Sequence, residues 1–459
     1  MGAEARFLAP QAWLPAAGGG VWASEVLLTV GPDGHWQAIE PGATPAQAQG
    51  ATRLPGPVLP GVVNAHSHAF QRAIAGLTEQ GSAQGDDFWS WRDRMYRAAL
   101  RITPAQLQAI ATQLYNELLQ GGYTQVCEFH YLHNDLDGRP YADPLELSLA
   151  LVRAAQATGM GLTLLPTLYM RSGFGAPGLR GDQRRFASTP ASVLRLAEGV
   201  NALGLPNVRA GVALHSLRAV DEAALNEVAQ AAQRQGWPVH IHIAEQTQEV
   251  SDCLAHHGQR PIEWLLDHAP LDARWNLVHA THTTAAELQG LRAAGAAIVI
   301  CPSTEANLGD GVFDYEGWAG QGGTWSVGSD SHVTRRATEE LRLLEYSQRL
   351  VRRQRNLAAR VAGTPSTAGA LLQAAMAGGS AAAGLALGGL AVGQRADFCV
   401  LQAGAPALAG VPMAHLLDAC VFSSPDAALA GSWVAGAAAG AGQEAGQTAF
   451  GEVMRALWD

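Results

Sequence analysis

From residue 58 onward, short apolar runs alternate with longer helical stretches, and few folds can absorb that pattern. The runs cover 58–65, 124–129, 161–167, 209–214, 239–243, 275–279, 296–301 and 325–328. Helical periodicity fills most of the intervals, at 104–119, 144–157, 192–203, 221–234 and 284–293. Thr103 before Pro104 suits a helix start, and Gly121-Gly122 suits its stop. Eightfold alternation of strand and helix predicts a (β/α)8 barrel, with chemistry at the C-terminal ends of the strands.

The flanks read differently. Runs at 23–30 and 35–39 are separated by the turn Gly31-Pro-Asp-Gly34, and further strand-like runs stand at 396–402, 419–422 and 431–435. We expect residues 1–55 and 381–459 to pair as one small β-sandwich-like domain, with the barrel, 56–380, inserted between them. The Ala/Gly-rich stretch 437–447 reads as a surface loop. Two long connections, 79–101 and 168–189, suit lids or substrate walls, and their arginines (Arg92 and Arg94; Arg171, Arg180, Arg184 and Arg185) read first, on the loops alone, as solvated.

Composition removes several classes. A net charge of -10 argues against a general nucleic-acid binder. No stretch suggests a membrane span, and residues 1–10 lack the pattern of a signal peptide. The five cysteines are scattered with no CxxC spacing, so a reducing, cytoplasmic setting is expected. All 30 residues counted as Lys+Arg are arginine. Schiff-base chemistry and a metal-bridging carboxylated lysine are therefore excluded by inventory, which favours a mononuclear centre.

The chemistry-bearing residues gather at the ends of the apolar runs. His66 and His68 stand at i and i+2 of one run, on the same side, and can grip one ion. His240 and His242 also share a side, and alternation alone does not choose between them. Position favours His242, nearer the strand end and three residues before Glu245. His66, His68, His242 and Asp330 can supply four ligands and leave a position for water. The nitrogen and oxygen donors suit zinc, with iron or manganese as alternatives. Glu245 suits a general acid/base, His279 can stabilise a tetrahedral centre, and Asp330 can also shuttle a proton to a departing amine. His282 is a weaker choice than His279, and Asp330 has an alternative reading as a helix cap.

On these residues the chain resembles the amidohydrolase superfamily in its deaminase-like branch, and more closely the formimidoylglutamate deiminase family. The resemblance spans nearly the whole chain. Its motifs are Val63-Asn-Ala-His-Ser-His-Ala-Phe-Gln-Arg72, Glu128-Phe-His-Tyr131, His215-Ser-Leu-Arg218 and His242-Ile-Ala-Glu-Gln246. It implies one divalent metal on His66, His68, His242 and Asp330, and a catalytic set of Glu245, His279 and Asp330. It also implies a substrate-binding set of Gln71, Arg92, Tyr131, His215 and Arg218. The implied protein is a homodimeric enzyme of histidine degradation, acting on a small dicarboxylate amidine. Two rival readings are an aminohydrolase of a purine, pterin or related heterocycle, for which Trp89 and Trp91 speak, and a metal-stabilised binding protein without turnover.

Overall fold

The computed structural model describes residues 4–16, 18–81, 85–402, 404–424 and 428–458. Eight parallel strands lie side by side in chain order. They are β1 (Val62–Ser67), β2 (Tyr123–His130), β3 (Gly161–Leu168), β4 (Val212–Leu214), β5 (Val239–Ile243), β6 (Trp275–His279), β7 (Ala297–Ile300) and β8 (Trp325–Val327). The ring closes through a parallel bridge between Ser67 and Asp330. Asp330 N–H donates to the His66 carbonyl at 3.0 Å, and His68 N–H donates to the Asp330 carbonyl at 3.3 Å. The predicted barrel is present.

Helices return the chain between strands as the sequence implies, at Pro104–Gln120, Glu146–Thr158, Pro190–Ala202, Glu222–Gln235 and Ala285–Ala294. Thr103 caps the first of these by accepting the Gln106 N–H, with Pro104 in the first turn and Gly121 at the end. Three further helices matter below: α1 (Phe88–Ala99), α2 (Thr247–His257) and α3 (Thr367–Ala383). Helix α3 backs the closing seam. A Cβ on Gly378 would lie 1.8 Å from the Trp325 carbonyl oxygen of β8, and one on Gly379 would lie 2.7 Å from Val63 Cβ of β1. Only glycine lets the helix sit this close to both seam strands.

The terminal strands form one sheet, ordered Ala437–Ala439, Leu429–Val434, Phe398–Leu401, Val58–Pro60, Ala5–Leu14, Val21–Val30 and Trp36–Glu40. Phe7, Leu28, Trp36, Val58 and Phe398 belong to its own apolar core. A buried ion pair, Arg395–Asp397 at 2.6 Å, ties this sheet to the barrel, since Arg395 also donates to Gln125 of β2.

Several elements differ from the sequence reading. The run 58–65 breaks at Gly61. Val58–Pro60 still pairs with Phe398–Leu401 in the terminal sheet, so the chain leaves that sheet five residues later than the expected boundary at 55. The run 209–214 breaks at Gly211, where a Cβ would meet the Pro238 carbonyl oxygen at 2.6 Å. Residues 419–422 are not a strand but part of the helix Leu416–Phe422, whose buried Leu416, Leu417, Cys420 and Val421 follow helical spacing. The 437–447 stretch is not a loop: Ala437–Ala439 is an edge strand, and the helix Gln443–Trp458 follows. The connection 79–101 holds α1, although residues 82–84 lie outside the described residues. The strand Ala5–Leu14 was not anticipated.

Gly378→Ala should lower the thermal midpoint, because overpacking costs about 1–3 kcal/mol and helix propensity returns only about 1. Gly451→Ala, where the nearest atom to the new Cβ is Arg455 Nη1 at 3.8 Å, should raise it. Thermal unfolding of the two variants checks both signs.

Candidate active site

Two backbone carbonyls decide how the histidines face. His68 Nδ1 donates to the Phe129 carbonyl at 2.9 Å, which leaves the lone pair on Nε2. His242 Nδ1 donates to the His215 carbonyl at 2.9 Å, with the same result. The freed lone pairs point inward: His68 Nε2 lies 3.3 Å from Asp330 Oδ1, and His242 Nε2 lies 2.9 Å from His66 Nε2. His66 Nε2 is itself 3.4 Å from Asp330 Oδ1. His68 Nε2 against Asp330 Oδ1 sets acceptor against acceptor, which is repulsive, and a cation at the point of convergence turns that repulsion into ligation. Burial first, then neighbouring imidazoles, holds His66 and His242 well below the usual histidine value, and burial likewise lowers His68. Neutral imidazoles are the form a metal takes. The residues present therefore fit a divalent cation.

His240 has another employment. Its Nε2 donates to the Ala382 carbonyl of α3 at 2.9 Å, so it anchors the seam helix while His242 reaches the centre. His282 stays outside the ligand groups.

Beside the imidazole cluster stands a second group of buried titratable side chains. His279 Nε2 is 3.6 Å from Glu245 Oε1 and 3.8 Å from Asp330 Oδ2, and its Nδ1 is 3.3 Å from Glu305 Oε1. Burial alone would depress His279, but the charges of Glu245, Glu305 and Asp330 outweigh it and raise the group to about 10. Burial, reinforced by the charge on Asp330, lifts Glu245 above the usual carboxylate range. The backbone is bent to achieve this arrangement. His279 and Asp330 take φ of 69° and 47°, the left-handed region that side chains other than glycine rarely adopt. Asp330 is no helix cap: the next helix, Ala337–Arg352, is flanked by Arg336.

Above the cluster opens a pocket lined by Gln71, Arg92, Tyr131, His215 and Arg218, together with Glu245, His279 and Asp330. The candidate ligand, acid/base and substrate-binding residues meet here, with His66 fully buried beneath. Gln71 Nε2 donates to the Tyr131 hydroxyl at 3.0 Å, and its Oε1 has no hydrogen-bond partner among the described residues. Arg92 and Arg218 each carry a buried Nε with no hydrogen-bond acceptor among the described residues. The Arg92 guanidinium stacks on Trp89 at 4.5 Å.

Sequence reading missed most of one wall. Helix α1 contributes Phe88, Met95 and Tyr96 besides Trp91 and Arg92. Its signal was Asp87-x-x-Ser90, a reciprocal capping box. Glu305 and Glu249 were also missed, the latter standing at i+4 from Glu245. Among the loop arginines, Arg185 is buried, not solvated, and bonds the carbonyls of Asn134, Ala99 and Ile102.

Converging lone pairs beside a buried acid/base pair, at the mouth of a (β/α)8 barrel, describe a hydrolase. Residues 58–439 match the amidohydrolase family, and the chain belongs to that family. It is a hydrolase acting on a C–N bond. Formimidoylglutamate deiminase of Pseudomonas aeruginosa is 47% identical to it over 95% of this chain and 97% of its own. A crystal structure of an amidohydrolase from Brucella melitensis matches with a TM-score of 0.91 at 42% identity, covering 99% of this chain and 100% of that one. More distantly, the 5-methylthioadenosine/S-adenosylhomocysteine deaminase of Halobacterium salinarum is 27% identical over 81% of this chain and 79% of its own.

His242→Ala should abolish stoichiometric metal binding and nearly all turnover, since it removes one of few donors. Elemental analysis of the purified variant checks this, and full occupancy with normal turnover would remove His242 from the ligand set.

Proposed function

We propose that the chain hydrolyses N-formimidoyl-L-glutamate to N-formyl-L-glutamate and ammonia, a step of histidine degradation. The observation that carries this reading is the pair of partly buried arginines, Arg92 and Arg218, which line the pocket with Nε donors that are buried and unsatisfied among the described residues. A buried donor without an acceptor is costly, and a guanidinium is shaped for bidentate pairing with carboxylate. Two such groups suit a dicarboxylate and disfavour a neutral heterocycle. The resemblance to the Pseudomonas aeruginosa deiminase supports the same substrate.

His66, His68, His242 and Asp330 would hold a divalent cation, zinc by the chemistry of those donors, and the chemistry it would supply is a lowered pKa for water, hence a nucleophile near neutral pH. Glu245 takes the proton from the attacking water and returns it to the substrate nitrogen. Raised by burial, its carboxyl can act in both directions near neutrality. His279, held cationic by its carboxylate neighbours, faces the negative charge that develops as the formimidoyl carbon becomes tetrahedral. Asp330 Oδ2, on the His279 side, relays a proton to the departing amine. Arg92 and Arg218 hold the two carboxylates, and Tyr131, Gln71 and His215 complete the polar wall. Water adds to the C=N carbon and the C–N bond to the amine breaks, leaving the formyl group on the amino acid nitrogen. The same reading carries a cytoplasmic homodimer, and five buried free thiols suit a reducing compartment.

The test is ammonia release across formimidoyl-L-glutamate, formimidoyl-L-aspartate, guanine, adenosine and cytosine. Turnover of the formimidoyl acids is expected. Activity on a heterocycle alone would overturn the assignment and return weight to Trp89 and Trp91 as a base platform. Glu245→Gln should keep its metal and lose about 100-fold or more in kcat; a rate near wild type would move the acid/base role to Asp330.

A further inference from the structure

Glu249 lies on α2, one turn beyond Glu245, and is fully buried. One carboxylate oxygen, Oε2, accepts the backbone N–H of Glu245 at 3.2 Å. The other, Oε1, has no hydrogen-bond partner among the described residues. Arg218 Nε is likewise buried without a hydrogen-bond acceptor, and the two unsatisfied atoms face each other across 3.9 Å. That separation is too long for a hydrogen bond, yet a shift of about 1 Å would make a good one. Each orphan alone is expensive in a buried site, and together they complement each other in charge and in donor and acceptor.

A guanidinium has more than one usable edge. If Nε turns to Glu249, the terminal Nη1/Nη2 edge remains for the pocket that Arg218 lines. We propose that Glu249 is a positioning residue, which Arg218 engages through Nε as its terminal nitrogens close on a substrate carboxylate. One buried carboxylate then holds the carboxylate clamp with one oxygen and the backbone of the acid/base with the other. Substrate charge recognition and the placement of Glu245 are thereby carried by the same side chain. This rests on the reading of Arg218 as a carboxylate clamp.

The experiment is a double-mutant cycle of Glu249→Gln and Arg218→Met on the holoenzyme, with metal content and thermal midpoint measured alongside. Glutamine keeps an oxygen for the Glu245 N–H but removes the charge that orients Arg218. Glu249→Gln should raise KM for formimidoyl-L-glutamate about tenfold, the scale of one hydrogen bond to a charged group, with kcat changed much less. In the Arg218→Met background the same substitution should have no further effect on KM. Glu249→Asp, which keeps the charge, should fall between wild type and Glu249→Gln, and it supplies the comparison if Glu249→Gln does not fold. Additive KM effects, a loss confined to kcat, or an aspartate variant no better than Glu249→Gln would overturn the inference while leaving the clamp in place. An unchanged KM in Arg218→Met alone would overturn the clamp, and the inference with it.

Discussion

The hydrogen bonds that join Asp330 to His66 and His68 through the backbone also close the barrel. Catalytic barrels place their side chains at strand ends, but here the seam between first and last strand is made by the candidate ligands' own main chain. The three side chains thus share a frame joined by two backbone-to-backbone hydrogen bonds. Buried polar groups brace it from behind. Asn64 pairs with Ser329 by both ends of its amide, at 2.8 and 2.7 Å, and Ser329 Oγ lies 3.0 Å from His332 Nδ1. Ser67 donates to Glu128 at 2.7 Å on the other side. Helix α3, with its glycine pair, presses both seam strands from outside.

Charge follows the same logic of enclosure. The chain is acidic overall, yet the pocket gathers two guanidinium groups and a raised histidine around a few carboxylates. Burial makes each of these interactions stronger than at the surface and makes any unpaired group costly. Arg92 and Arg218 therefore stand out because they line the pocket with guanidinium groups whose donors are incompletely satisfied among the described residues.

Much of this was legible in the sequence. The barrel followed from alternation, and His66, His68, His242, Glu245, His279 and Asp330 were readable because each stands at the end of an apolar run. The choice of His242 over His240 rested on position, and the structure supplies the physical reason: His240 is committed to Ala382. What escaped was tertiary. The split at Gly61 depends on which sheet a strand joins, and residues 419–422 are too short for periodicity to separate helix from strand. Helix α1 was hidden in a connection read only for its arginines and tryptophans. Glu249 meets the Glu245 backbone and Glu305 meets His279 and the Cys301 backbone, and nothing in local sequence tells which partner a buried carboxylate meets.

The exclusive use of arginine has a consequence for the solution conditions around a working site. The proposed reaction liberates a base at the mouth of the barrel. An ammonium side chain placed there would begin to discharge as its surroundings became alkaline, whereas a guanidinium keeps its proton across the whole range in which proteins remain folded. A chain without lysine therefore keeps the charge of its two pocket guanidinium groups fixed toward each incoming anion as product builds up around it.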